Sequence, residues 1–411
     1  MNNTDYWFYV YPNIYVKQIH REKVMLYNTD TGTVLHSANL VFNDWVRDVH
    51  IAENLGVIAV SEEALKTCDN ELLEDAIKKK IVNLQVVASH PLKPVNFLPV
   101  LNLQKDIENI DDEAAELMGD DVISYLSELN IFLSLDDGLP EEWDLVSRQL
   151  LFPIRGSIGQ RRQLDPFIIE QLLRDSQCSI MQHVNFVGGN LSQYSCWGKL
   201  GNILSSFPQY NYHLWFAYTE LEQITGLYAT DFFYDIIVVP SFIDDMEELK
   251  DRIMHLSIQP ERITLHMYVT SEEEYAASAF PENYSVCIRP LYTGHNIDFF
   301  KKNVFLKEED ILGSVTSMRK IFCNQKLNSA FFGILNVYPD ASVRATNDTA
   351  VLGNLYQDDI RNIIYRELLT NTAWRRIRNS TICDACCYQY LCPPPGIYER
   401  ILERDNLCEL K

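Results

Sequence analysis

The 411-residue chain predicts an α/β fold: a parallel sheet, open or curled into a partial barrel, between a small strand-and-helix module and a short closing domain. Three observations carry this. From Asn130 to about Ile297, six strand candidates alternate with helical segments, the rhythm of parallel strands joined by crossover helices. Residues 6–40 instead hold short strands separated by turn residues. After Val304 the alternation stops, and four cysteines at defined spacing close the chain.

The first module, residues 1–104, opens with YVKQI, KVMLYNT and TVLHSA, rich in aromatic and branched residues and punctuated by the turn-like Asn28-Thr29-Asp30-Thr31-Gly32. Helical spacing follows in VFNDWVRDV, then a short apolar strand, GVIAV. Ser61 has N-cap character before EEALK, and NELLEDAIKKKI is a helix whose lysines sit at the C-terminal end, where they complement the backbone dipole. Residues 105–127 are an acidic linker. From Lys105 to Asp144 there are 14 carboxylates and one lysine, a composition that favours solvation over packing.

Residues 128–304 carry the alternating part. NIFLSL precedes the helix DPFIIEQLLRD, and MQHVNFVGG precedes LSQYSCWGKLGNILSSF. YHLWFAY and FFYDIIVVPS lead to DDMEELKDRIMHL, with RITLHMYVTS and YSVCIRPLY after it. His183, His213 and His266 fall within these strands and could face a barrel interior. Histidines so placed are more often satisfied core or surface residues. Residues 305–411 begin with a change of rhythm: FFGILNVYP and ASVRAT read as a hairpin, DDIRNIIYREL as a helix, and the cysteine tail ends the domain.

Composition excludes several functions. A net charge of −22 argues against nucleic acid, because phosphate binding needs clustered Lys and Arg. No apolar run of about 18 residues implies a transmembrane helix, and MNNTDYWFYVYPNIYVKQ lacks the basic-then-apolar order of a signal peptide. The expected location is cytoplasmic, where the ten cysteines are thiols or metal ligands. No G-x-S-x-G, Walker or dinucleotide fingerprint occurs.

The tail CDACCYQYLCPPPGIYERILERDNLC sets Cys383, Cys386, Cys392 and Cys408 in the pattern C-x2-C-x5-C-x15-C. Two thiolates close in sequence can wrap one side of a metal centre while two later ones close the other. Zinc and iron–sulfur clusters both accept four thiolates, so spacing alone leaves the metal open.

In order and motif, the chain resembles pseudo-radical-SAM proteins with a SPASM-like C-terminal domain, found in systems that modify ribosomally made peptides (RiPP systems). The resemblance implies a partial (β/α) barrel of degenerate radical-SAM type. Gly188-Gly189-Asn190 stands where active relatives carry Gly-Gly-Glu against the amino group of S-adenosylmethionine, so Asn190 weakens one contact. Active relatives also carry C-x3-C-x2-C after the first barrel strand. Here that loop, DDGLPEEWDLVSRQLLFPIRGS, has no cysteine. The expectation is a pseudoenzyme that does not use S-adenosylmethionine.

The four tail cysteines match one auxiliary-cluster set of the SPASM pattern, which implies one 4Fe–4S cluster, with zinc as the alternative. The second set lacks its cysteines near Gly396 and near Ala345 and Thr346. Cys387 is an unassigned thiol. The N-terminal module is similar to winged-helix domains that bind a precursor peptide as an added strand. Transferred here, the edge lies near Thr33–Ala38 and the helix near Leu72–Ile81.

The function so implied is a non-catalytic accessory protein that binds precursor peptide, a partner radical-SAM or other modifying enzyme, or both. The alternatives are an iron–sulfur electron-transfer partner of a radical enzyme, or a zinc-stabilised scaffold. An enzyme of another class would place its chemistry at the C-terminal strand ends, near Asn190, Tyr218 and Arg289.

Overall fold

A computed structural model describes residues 5–100, 119–134, 139–150, 163–187, 191–224, 232–347 and 349–410. The N-terminal part runs β1 (Asp5–Val10), β2 (Ile14–His20), β3 (Lys23–Asn28), β4 (Val34–Ser37), α1 (Leu40–Val49), β5 (Ile58–Ser61), α2 (Glu62–Thr67), α3 (Asn70–Lys78) and β6 (Val82–Val86). Side-chain caps start all three helices. Asn39 accepts from the Phe42 amide, Ser61 from Ala64, and Asp69 from Glu71 and Leu72. The three strands expected in this region become the antiparallel sheet β2-β3-β4. The first strand, β1, leaves them to pair between β5 and β6. No local signal marks this pairing of β1, because its partners lie far away along the chain.

Strand β3 is buried on both faces. Val24 and Leu26 join Phe8, Phe42 and Trp45 in the module's own core. Met25 and Tyr27 point the other way, into a cluster with Ile311, Ile321, Leu391 and Cys392. This is the period-2 geometry of a strand serving two cores at once. Tyr27 also accepts a hydrogen bond from the Thr316 amide at 2.7 Å. The module is thereby packed against the C-terminal segment.

The six expected central strands all form, in order: β7 (Glu128–Phe132), β8 (His183–Val187), β9 (Asn211–Ala217), β10 (Phe232–Val238), β11 (Ile263–Val269) and β12 (Ser285–Pro290). Each pairs in parallel with the next. The later hairpin, β13 (Ile334–Val337) and β14 (Ser342–Arg344), joins the same sheet. β13 lies parallel beside β7, and β15 (Gly353–Asn354) closes the far edge. The result is one mixed sheet of nine strands, ordered β12-β11-β10-β9-β8-β7-β13-β14-β15.

One face carries the main apolar core, in which Val184, Phe186, Leu214, Ile236 and Leu265 meet Ile169, Leu173, Leu200 and Ile253 of the flanking helices. The opposite face is layered. At the C-terminal strand ends, Phe132, Val187, Ala217, Ile237 and Tyr268 pack beneath Trp143, Val146 and Leu150 of the helix Trp143–Gln149 and the residue after it. Below that apolar layer lies a polar one. Asn185 donates to Glu128 and to Asn130, Asn130 donates to Asn336, and Trp215 donates to Asn185. Buried amides of this kind persist only when paired with one another.

A second buried polar knot fastens the segment after the helix Ile360–Thr370. Glu367, fully buried, accepts from the amides of Ala373 at 2.8 Å and Trp374 at 2.9 Å, and from Thr372. Replacing it by alanine leaves those amides without acceptors, each costing about 1–3 kcal/mol. Glu367→Ala is therefore expected to lower the unfolding free energy by at least about 3 kcal/mol in urea denaturation. An unchanged midpoint would show that the knot adds nothing.

Candidate functional site

The four cysteines of the tail are brought together. Ser380 caps the short helix Thr381–Asp384 by accepting from the Cys383 amide, and the Cys386 amide then turns back onto the Cys383 carbonyl at 3.0 Å. A further turn, from the Cys392 amide to the Tyr388 carbonyl, sets the third thiol. Asn324 locks it by donating to the carbonyls of Tyr390 and Cys392. Cys408 arrives from the chain end, where it makes a short parallel pairing with Leu306. Cys383, Cys386, Cys392 and Cys408 all line one cavity of about 640 Å³.

The rest of the wall comes from distant elements. Lys23 of β3 and His36 of β4 line it from the N-terminal sheet, and Glu308, Arg378 and Tyr388 complete its polar part. Tyr388 donates to Glu308 at 2.8 Å and lies 3.0 Å from His36 Nε2. Lys17 donates to Gln389 beside the cavity. None of these residues stands out in the sequence. They belong to segments hundreds of positions apart, and no local spacing signals them.

The thiols differ in their surroundings. A hydrogen bond from Cys387 lowers Cys386 to about 6 against the opposing effect of burial, with Lys17 and Lys23 adding positive charge. Burial pushes Cys392 up to about 12, only partly offset by Arg378. Cys387, which lines the same cavity, is raised by its bond to Cys386. Among the described residues, no three His, Cys, Asp or Glu side chains stand close enough to hold a single metal ion. The four thiols share the wall of one cavity.

Other sequence-marked positions behave differently. Gly188, Gly189 and Asn190 lie outside the described residues. Ala345 and Thr346 are buried, and Thr346 accepts from Arg400 at 3.1 Å. The Gly396 amide donates to Glu399, whose other oxygen takes Arg378 at 2.6 Å in a buried ion pair. The Tyr218 hydroxyl donates to the Phe242 carbonyl.

No family model matches the chain, and no curated protein matches it. Solved structures do. SuiB of Streptococcus suis bound to the precursor peptide SuiA is 11% identical with a TM-score of 0.44, covering 98% of this chain and 100% of that one. SuiB bound to S-adenosylmethionine is 12% identical with a TM-score of 0.40 over the same shares. SuiB alone is 11% identical with a TM-score of 0.39. At such identity the likeness concerns the general fold, and no residue role is transferred on it.

Two expectations are corrected here. The expectation of a pseudoenzyme, and with it the exclusion of S-adenosylmethionine, is set aside, because a similar chain has been crystallised with that molecule. The first rests on one absent cysteine motif, the second on that motif and on Asn190. That absence removes one set of thiolates but leaves the nine-stranded sheet in place. Part of the loop concerned, residues 135–138 and 151–162, also lies outside the described residues.

The ion pair Arg378–Glu399 braces the cavity wall, so its loss should be felt at the thiols. Arg378→Met strands a buried carboxylate, at a cost of about 3 kcal/mol or more. The expected result is a lower denaturation midpoint together with faster reaction of Cys392 with a thiol reagent. A variant with unchanged midpoint and equally shielded Cys392 would deny the pair any bracing role.

Proposed function

We propose that the chain takes part in the modification of a ribosomally made peptide: it binds the precursor at the β4 edge and holds an auxiliary 4Fe–4S cluster on Cys383, Cys386, Cys392 and Cys408. In this reading residues 1–104 are a winged-helix-like recognition module, residues 105–127 a linker, residues 128–304 a partial barrel of radical-SAM type, and residues 305–411 a SPASM-like domain. The observation that carries the reading is the shared wall. Four cysteines line one cavity, and edge-strand His36 lines it too.

The β4 edge suits strand addition. The Asn28 amide donates to the Thr33 carbonyl, which makes Leu26–Leu35 and Val24–Ser37 the hydrogen-bonded pairs of the β3–β4 ladder. Val34 and His36 therefore turn their backbone groups outward. Lys79, just past α3, caps the Val34 carbonyl at 3.3 Å. A peptide strand laid along β4 would take the outward groups and displace Lys79, with α3 beside it.

The donor set suits a cluster better than one ion. Four thiols spaced around a cavity of about 640 Å³ leave room for a polynuclear centre. Such a cluster would tie the loop around Cys383 to the chain end at Cys408, and it could exchange electrons with a partner.

Two measurements test this. Val34→Pro removes an outward N–H while leaving the β3–β4 ladder intact, since proline is tolerated on edge strands. It should weaken binding of a fluorescently labelled precursor peptide by about tenfold. Equal affinity would refute the edge. Protein purified without oxygen should be brown with about four irons per chain, and Cys386→Ala should lose the colour. Colourless protein containing zinc would refute iron while keeping the four ligands.

A further inference from the structure

The polar layer of the large sheet holds a titratable chain that the cysteine cavity does not involve. Asp235, at the middle of β10 and 4% exposed, accepts from two imidazoles. His266 Nε2 on β11 lies 2.8 Å from one oxygen, and His213 Nδ1 on β9 lies 2.8 Å from the other. His213 Nε2 in turn meets His183 Nδ1 on β8 at 3.1 Å. The three histidines noted in the sequence are thus joined by an aspartate that carries no mark of its own there.

An ionised carboxylate can only accept, so Asp235 sets the tautomer of His266. The proton sits on Nε2, and Nδ1 presents a bare lone pair. That nitrogen is buried and has no hydrogen-bond partner among the described residues. His266 itself is 4% exposed, with Trp215 laid over its ring at a centroid distance of 4.2 Å. An unsatisfied buried acceptor costs about 1–3 kcal/mol, and nothing among the described residues recovers it.

Arg289 supplies the complement. It lies on β12 directly beside Tyr268, while Cys287 lies beside His266, so Arg289 is one residue pair further along the same face. Its charge reaches both Tyr268 and His266. Arg289 is half-buried, and no carboxylate among the described residues forms an ion pair with it. One position thus lacks a hydrogen-bond donor and the next lacks an anion.

We propose that His266, set by Asp235, and Arg289 form a binding site on the polar face of the sheet for a small carboxylate that also carries a hydroxyl or amino group. The carboxylate pairs with Arg289, the O–H or N–H donates to His266 Nδ1, and Trp215 and Tyr268 form the walls. The site is independent of the metal and peptide reading above.

Thermal melting of the full chain with lactate, alanine and propionate tests it. Lactate and alanine should raise Tm by about 5 °C at a hundredfold excess over their dissociation constants. Propionate, which lacks the donor, should bind at least about tenfold more weakly. Asp235→Asn keeps the shape but can donate to Nε2, which moves the proton to Nδ1. In that variant lactate should lose its advantage over propionate. Arg289→Gln, on the half-exposed edge strand, should abolish the response to all three. Indifference of the wild type to every probe would mean that a buried water alone satisfies Nδ1, and would overturn the proposal. So would equal responses to lactate and propionate, or an unaltered response in Arg289→Gln.

Discussion

Much of the molecule depends on the two-sided burial of β3. A strand that feeds one core with Val24 and Leu26 and another with Met25 and Tyr27 cannot be lost from either without disturbing both. A fully buried aliphatic or aromatic side chain contributes about 1.5–3 kcal/mol, so the second face alone is a substantial anchor. It places the N-terminal sheet against the cysteine tail, and it is why Lys23 and His36 can wall a cavity whose thiols lie more than three hundred residues later. A peptide strand added at β4 would touch that same wall.

The large sheet meets a different constraint. Its helix-covered face is uniformly apolar, but its other face changes character along the strands, from an apolar layer under Trp143 to a linked layer of amides, imidazoles and carboxylates. Polar side chains in such a place must find one another or leave an unpaired group at high cost. Most do so here. His266 Nδ1 and, beside it on the same face, the Tyr268 hydroxyl do not.

Legibility follows the range of the interactions. The six central strands are readable because each is a short apolar run flanked by helix signals, and Ser61 is readable as a cap because capping is decided within three residues. The placement of β1 is not, because its pairing partners, β5 and β6, lie some fifty and eighty positions away. The hairpin after Val304 is legible as a hairpin, but its union with β7 is a contact across two hundred residues. Asp235 carries no local mark at all. It becomes significant only when β9 and β11 bring a histidine to each of its oxygens.

The sequence by itself determined the six central strands, the helix starts and the four-cysteine spacing, since these follow from backbone periodicity, capping and covalent distance. Only the tertiary structure decided that the thiols ring one cavity, that an edge strand from the other end of the chain helps to wall it, and that three scattered histidines converge on one carboxylate. Those outcomes depend on which faces are buried together. That is set by the packing of whole elements and is not written into any stretch of neighbouring residues.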